Sequence, residues 1–203
     1  MECHRHQNVF TQYSARIVAS RDTPCPASPC RITSTKGGPE VAGLPGVRSG
    51  GREMKIRTYR GAGCLLFSVQ PGEPAYVYLG LRKHSPGKGK WSIPGGKHEQ
   101  RDGTGPGGEW ANAVRETLEE ITIDPALLMD SSSQMDPSVR FCLPLFQWAT
   151  FLVSVPDKTH FAPRQEFHET GWFKISALPR RLAFGTRRAV RSLRQRLAAD
   201  PPQ

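Results

Sequence analysis

The fold of this chain is decided by the stretch RETLEE at Arg115–Glu120. Each residue of an α-helix advances by about 100°, so Glu116 and Glu120 would lie about 40° apart, with Glu119 about 60° from Glu116 on the other side. Three carboxylates in so narrow an arc repel one another and destabilise the helix. Carboxylate oxygens are also the ligands that Mg²⁺ and Mn²⁺ prefer. The stretch therefore predicts a divalent-metal site that handles phosphates.

The opposite face of the same helix is predicted to pack on a core. Its positions follow the spacing of a core-facing stripe: Trp110, Val114, Thr117, Leu118 and Ile121. Arg115 precedes Glu119 by four residues, so the two side chains can pair and fix the Glu119 rotamer. The alternative is an ordinary amphipathic surface helix whose acidic face is solvated.

A glycine turn precedes the helix. The segment Ile93–Gly96 ends an apolar strand with a proline and two glycines, and glycine lets a ligand approach the backbone closely. A backbone carbonyl of this turn would add one more oxygen ligand to the three carboxylates.

Together these segments resemble the signature of the Nudix hydrolases. That signature reads Gly, five residues, Glu, seven residues, Arg-Glu, an aliphatic residue, any residue, Glu-Glu, any residue, Gly and an aliphatic residue. The matching positions are Gly96, Arg115, Glu116, Glu119, Glu120 and Ile123. The resemblance covers about residues 54 to 197. It implies an α/β fold, the Nudix-type α/β/α sandwich with a mixed β-sheet.

The chain departs from the signature in the loop between Gly96 and Arg115, which is longer than the family spacing. The first Glu of the signature therefore has two candidate counterparts: Asp102 has the right distance from Gly96, and Glu109 is two residues too close to Arg115. The glycine-rich segment 100–108 is predicted to be a mobile, passive insertion, with the helix beginning near residue 108 or 109.

Two threonines also replace signature residues. Thr117 stands at an aliphatic position, where its methyl group can still face the core. Thr122 stands where the family has Gly, and a threonine avoids the left-handed conformation of a helix cap. We therefore expect Asp124-Pro125 to end the helix.

The resemblance also implies a reaction, the hydrolysis of a phosphoanhydride bond in a nucleoside diphosphate linked to another moiety. Glu116, Glu119 and Glu120 would be catalytic and would bind Mg²⁺ (or Mn²⁺) together with Gly96, and Arg115 would be the fifth member of the site. The alternative function is a non-catalytic Nudix-fold module that binds a ligand or RNA. The retained helix acids favour the enzyme.

The general base is predicted to be one of the helix acids or an acid that precedes Trp172, namely Glu166 or Glu169. The alternative for both is ordinary loop or strand surface. The resemblance implies that the partner is a small-molecule nucleotide. Four aromatic residues are candidates to stack on its base, although each also fits a core position: Tyr76, Trp91, Phe146 and Trp148.

The strands on either side of the signature support a layered α/β fold. Alternating or continuous apolar runs predict strands over Arg57–Val69, Ala75–Arg82 and Glu166–Phe173. A further run over Val139–Val155 is broken near Pro144. The last helix carries apolar residues at Val190, Leu193 and Leu197.

Composition indicates the cellular setting and the domain organisation of the chain. The five cysteines have no regular spacing, which favours a reducing, cytoplasmic setting. No run of 18 apolar residues predicts a membrane span. Residues 1–53 are rich in Gly, Pro, Ser and Arg, so we expect a disordered extension, or an upstream start, before a domain at 54–203.

The formal net charge is +10, and arginines concentrate near the end of the chain. This pattern indicates an anionic partner such as RNA or, as we favour, a solvated helix face. It predicts no particular oligomeric state.

Overall fold

The computed structural model describes residues 58–129 and 136–199, so the predicted boundary at residue 54 lies outside the described residues. In this part of the chain, one mixed sheet of seven strands is flanked by helices. The strands are β1 (Tyr59–Ser68), β2 (Tyr76–Arg82), β3 (Trp91–Ser92), β4 (Gly95–Lys97), β5 (Val139–Leu143), β6 (Phe146–Ser154) and β7 (Phe167–Lys174). The α-helices are α1 (Gly105–Glu120), α2 (Pro125–Met129) and α3 (Thr186–Ala199), and a 3₁₀ turn spans Gln100–Asp102.

The central strand of the sheet is β1. The strand order is β3-β2-β1-β6-β5, with β4 added to β1 and β7 added to β2. β1 runs parallel to β6, and the other pairings between described strands are antiparallel. The predicted strands are confirmed, including the break at Pro144, which lies in the turn between β5 and β6.

Helices cover both faces of the sheet because successive side chains of β1 point to opposite sides. Cys64 and Leu66 join the core beneath α1, where Trp110 meets Phe151 edge to face at 5.1 Å. The alternate residues of β1 face α3, and this second core includes Leu65, Phe67, Val190 and Leu193. The predicted α/β/α sandwich is confirmed.

The predicted core stripe of α1 is confirmed as well. Trp110, Val114, Thr117 and Ile121 are buried, and Leu118 packs partly buried against the same core. The Thr117 hydroxyl donates a hydrogen bond to the carbonyl of Ala113 at 2.7 Å, so this threonine is satisfied inside the helix.

Both predicted ends of this helix were wrong. α1 begins at Gly105, three residues before the expected onset, because Pro106 suits the first turn, where its missing N–H needs no partner. α1 ends at Glu120, since Ile121 turns into extended backbone and bridges to Pro163. Asp124 instead directly precedes α2, and its carboxylate accepts a hydrogen bond from the amide of Ala126 in the first turn at 2.9 Å.

None of the helices in the described part of the chain is long and apolar enough to cross a membrane.

Candidate active site

Arg115 organises much of the acidic face of α1, because its guanidinium contacts three carboxylates, those of Asp102, Glu116 and Glu119. It donates to Asp102 from Nε at 2.8 Å and from Nη2 at 3.0 Å. Its Nη1 lies 3.0 Å from Glu116 and 3.1 Å from Glu119, and its Nη2 also donates to the carbonyl of Lys97 at 3.0 Å. Arg115 thus ties the helix to β4 and to the 3₁₀ turn.

Asp102 is therefore the acid that braces Arg115. Its carboxylate is buried, and hydrogen bonding from Arg115 holds its pKa below the ordinary value of 3.8. The 3₁₀ turn presents this side chain, and its Oδ2 also accepts a hydrogen bond from the amide of Glu99 at 2.7 Å. The prediction that segment 100–108 is a passive insertion was wrong, since its first turn supports the helix acids.

Glu109, the other candidate for this position, lies elsewhere. Its carboxylate pairs with Arg140 of β5 at 2.7 Å. Because α1 begins at Gly105, Glu109 is already part of the helix, about one and a half turns before Arg115. Its side chain therefore points toward the β5–β6 hairpin and away from Arg115.

Glu120 is the most buried acid of the predicted arc. Only 2 % of the residue is exposed, and its Oε2 accepts a hydrogen bond from the amide of Gly95 at 2.8 Å. Its Oε1 lies 3.9 Å from Nη1 of Arg82. Burial raises the pKa of Glu120 to about 8, against the opposing effect of the Gly95 hydrogen bond and the Arg82 charge. Positive charge beside this carboxylate would restore its ionised form.

Glu116 lies against the second glycine of the turn. An added methyl group on Gly96 would overlap the Glu116 carboxylate, so only glycine allows this approach. Burial raises the pKa of Glu116, while the Arg115 charge opposes that rise. The Gly96 carbonyl lies beside Gly61 of the paired strand β1.

Glu119 is the exposed acid of the arc. It pairs with Arg115 and also with Arg101 at 3.2 Å. It lines a cleft of about 640 Å³ together with Lys83, Arg164 and Gln165. That volume is within the range of small-molecule sites, and two cationic side chains favour an anionic occupant.

The predicted metal ligands are the three acids of the arc and the Gly96 carbonyl. Within residues 58–129 and 136–199, no group of three or more His, Cys, Asp or Glu residues is arranged to hold a metal ion by itself. Mg²⁺, however, commonly takes only one or two carboxylates and completes its shell with water and substrate phosphates. Glu116 and Glu120 supply hard oxygens. Burial raises the pKa of Glu120, the charge of Glu116 adds to that rise, and a cation beside both carboxylates would oppose it. The donor set fits such an ion.

The two predicted base candidates differ in position. Glu166 is bound by Nη2 of Arg82 at 3.2 Å, and the same guanidinium approaches Glu120. The Glu166 charge is also one of the effects that raise the pKa of Glu120. Glu169 is exposed on β7, opposite Leu81. The structure brings Glu166, and not Glu169, into the acidic site.

Arg82 is a residue of the acidic site that the sequence analysis did not identify. Its contacts reach α1 and the segment before β7, and Glu166 lies 84 residues away along the chain, so no local pattern predicts them. The sequence did contain one signal for this role. Arg82 ends an apolar strand that is mostly buried, and a cation at such a position needs an anion close to it.

Several solved protein structures are similar to this chain. The crystal structure of a Nudix hydrolase from M. smegmatis, RenU, matches 72 % of this chain and 88 % of its own, with 22 % identity and a TM-score of 0.53. A NUDIX hydrolase from Nitrosomonas europaea matches 71 % of this chain and 75 % of its own, with 23 % identity and a TM-score of 0.52. An Ap4A hydrolase from C. elegans matches 70 % of this chain and 99 % of its own, with 16 % identity and a TM-score of 0.52.

These likenesses establish the fold. A comparison with curated protein sequences gives no significant match. The family model of the NUDIX domain matches residues 57–193, which is most of the chain and includes the whole acidic site. The chain belongs to the Nudix family.

Proposed function

We propose that this protein is a hydrolase that cleaves a phosphoanhydride bond of a nucleoside diphosphate linked to another moiety, with Mg²⁺ as the required ion and Mn²⁺ as a substitute. Family membership supports a hydrolase acting on phosphoric anhydrides, and Nudix hydrolases generally use divalent metal ions. The nucleotide substrate and the Mg²⁺ requirement are the parts that we propose.

One observation carries the proposal. Glu120 is buried beside the Gly95 amide while Glu116 lies against Gly96, so two acids converge on one glycine turn. Burying carboxylates costs free energy unless a positive charge compensates. The arginines supply part of that charge, and a divalent ion bound with a diphosphate supplies the rest.

In the proposed reaction, water attacks one phosphorus and the bridging P–O bond breaks. The products are a nucleoside monophosphate and the phosphorylated second moiety. Glu116, Glu119 and Glu120 would hold the ion, together with the Gly96 carbonyl. The ion would neutralise the phosphates and lower the pKa of the attacking water.

We propose Glu166 as the group that accepts the proton of that water. Arg82 holds Glu166 3.2 Å away and approaches Glu120 at 3.9 Å, so a single guanidinium orients the base toward the acidic site. Arg115 would act as a positioning residue, since it fixes Glu116 and Glu119 through direct ion pairs. Lys83 and Arg164, in the cleft beside Glu119, would attract the phosphates.

The proposal is tested by Glu120→Gln, measured as Mg²⁺-dependent turnover of a panel of nucleoside diphosphate derivatives. The amide keeps the size of the side chain and removes one anionic ligand. We expect kcat to fall by at least about 100-fold, the scale for losing a key electrostatic group.

The matched control is Glu99→Gln. Glu99 is a half-exposed acid that pairs with Arg101 at 2.8 Å, close to the site but outside the arc. This variant should keep its turnover. Full activity of Glu120→Gln, or no turnover of any diphosphate by the unaltered protein with Mg²⁺ or Mn²⁺, would contradict the proposed function.

A further inference from the structure

One surface of the protein is an aromatic wall that the proposed reaction does not yet use. We define it by five rings: Tyr59, Phe141, Phe146, Trp148 and Phe184. Tyr59 begins β1 and stands opposite Phe146 of the parallel strand β6. Their rings are stacked, with centroids 5.2 Å apart and planes 4° from parallel. The register of the sheet therefore builds this surface.

The wall continues along β6 and onto the start of α3. Trp148 is parallel to Phe146, with centroids 6.4 Å apart, and its Nε1 donates to the Thr150 hydroxyl at 3.1 Å. Phe141 of β5 meets Phe184 edge to face at 4.9 Å. Arg188 of α3 lies 5.9 Å from the Phe141 ring, where its planar guanidinium adds a cation beside the aromatic faces.

Two glycines of β1, Gly61 and Gly63, leave space on the sheet for the Trp148 ring. Methyl groups added to Gly61 and Gly63 would lie 2.8 Å and 3.1 Å from the Trp148 ring. Both glycines lie on the same face of β1 as Tyr59, because side chains alternate along a strand. The tryptophan therefore lies directly over β1 backbone, next to the strand β4 that carries Gly95 and Gly96.

The wall adjoins the acidic site. Burial raises the pKa of Tyr59, and the charge of Glu116 is the next cause, followed by the opposing charge of Arg82 and then the charge of Glu120. Packing shows the same adjacency, because a methyl group on Gly61 would lie 2.5 Å from the Gly96 carbonyl oxygen and 2.8 Å from the Trp148 ring, and the Glu116 carboxylate lies against Gly96. A ligand whose phosphates lie at those acids would have its next group beside Tyr59.

The outer part of the wall is open to solvent. Phe184 is 75 % exposed and Tyr59 is 36 % exposed. Large exposed rings cost free energy in water, and a patch of them beside polar groups marks a binding surface. The rings are also flat, which suits a planar, aromatic occupant.

We propose that the aromatic wall binds the base of the nucleoside diphosphate by stacking. This inference rests on the proposed function, since it takes the diphosphate to lie at Glu116 and Glu120. The cleft beside Glu119 is the competing place for the base. Its lining residues are charged or amide side chains, namely Lys83, Glu119, Arg164 and Gln165, which suit phosphate or a polar moiety and provide no aromatic face.

The test measures binding, not turnover, with the full chain and Mg²⁺. Calorimetric titrations compare ADP with inorganic pyrophosphate, which has the phosphates but no base. The ring variants are Phe184→Ala, at a largely exposed position, and Phe146→Leu, which keeps an apolar side chain without the ring. Stacking on a base is worth about 1 to 3 kcal/mol, so ADP should bind at least about fivefold more weakly to each variant. The affinity for pyrophosphate should not change.

The matched control is Leu145→Ala. Leu145 is 56 % exposed and directly precedes Phe146, so this variant removes apolar surface without removing a ring. It should bind ADP as the unaltered protein does. Normal ADP affinity in both ring variants would overturn the inference and leave the proposed function standing.

Two further outcomes separate the inference from the function. If the ring variants bind ADP weakly but no diphosphate is turned over by the unaltered protein, the wall holds a base and the proposed hydrolysis is wrong. If a single-stranded oligoribonucleotide binds through the rings and ADP does not displace it, the wall is an RNA surface and the inference is overturned.

Discussion

Arg115 and Asp102 form a two-pronged ion pair, with Nε donating to Oδ1 at 2.8 Å and Nη2 donating to Oδ2 at 3.0 Å. The Asp102 carboxylate is buried, whereas the rest of the 3₁₀ turn before it is exposed. Two parallel hydrogen bonds fix the plane of the guanidinium as well as its position. Arg115 can then hold Glu116 and Glu119 in defined orientations.

Removing this ion pair should loosen the site. In Asp102→Asn, a neutral amide replaces the carboxylate, so we expect the free energy of unfolding to fall by about 2 kcal/mol. We also expect kcat to fall by between about 10-fold and 100-fold, as for other residues that orient the ligands of a site. Denaturant unfolding and turnover measure the two effects. Glu109→Gln is the control, since Glu109 pairs with Arg140, and a larger loss of kcat in that variant would contradict the assignment.

The same pair predicts a dependence of stability on pH. Hydrogen bonding from Arg115 holds the pKa of Asp102 in the folded protein below its ordinary value of 3.8. A depressed folded pKa stabilises the fold fully above the unfolded pKa, and this stability is lost as pH falls through the folded pKa. Below about pH 4, the free energy of unfolding should therefore fall more steeply in the unaltered protein than in Asp102→Asn. Parallel curves for the two proteins would show that the ion pair contributes nothing.

The close approach at Gly61 predicts a sensitive position in β1. A methyl group there would lie 2.5 Å from the Gly96 carbonyl oxygen and 2.8 Å from the Trp148 ring. Gly61→Ala should lower the free energy of unfolding by about 1 to 3 kcal/mol, the usual cost of overpacking, because β4 or the indole must move.

Gly107→Ala is the matched control, measured by the same denaturant unfolding. Gly107 lies in the first turn of α1, and a methyl group there would meet no described atom within 4 Å. Alanine has the higher helix propensity, so this variant should gain up to about 1 kcal/mol. Equal effects of the two substitutions would contradict the packing described at Gly61.

The proposed base predicts a difference between two glutamates that are three residues apart. Glu166→Gln should lower kcat by about 100-fold or more, the usual range for losing a general base. Glu169→Gln should leave kcat unchanged, since Glu169 is exposed on β7. If Glu169→Gln is the inactive variant, Glu166 is only a partner of Arg82.

The sequence alone determined the features that depend on local spacing. The acidic arc, the buried stripe of α1 and the glycine turn follow from helix periodicity and from the backbone freedom of glycine. The apolar runs predicted the strands, and the signature at Gly96 and Arg115–Glu120 indicated the family, whose resemblance implied the mixed sheet.

Tertiary structure decided everything that depends on residues far apart in the chain. Asp102 lies 13 residues before Arg115, and the choice between Asp102 and Glu109 depended on where the chain folds back, not on spacing. The contact with Arg82 distinguishes Glu166 from Glu169 as the candidate base. The register of β1 and β6 places Tyr59 opposite Phe146. Local patterns determine which face of a helix or strand a side chain occupies. The packing of distant elements determines which side chains come into contact, because the two partners of such a contact can be any number of residues apart in the sequence.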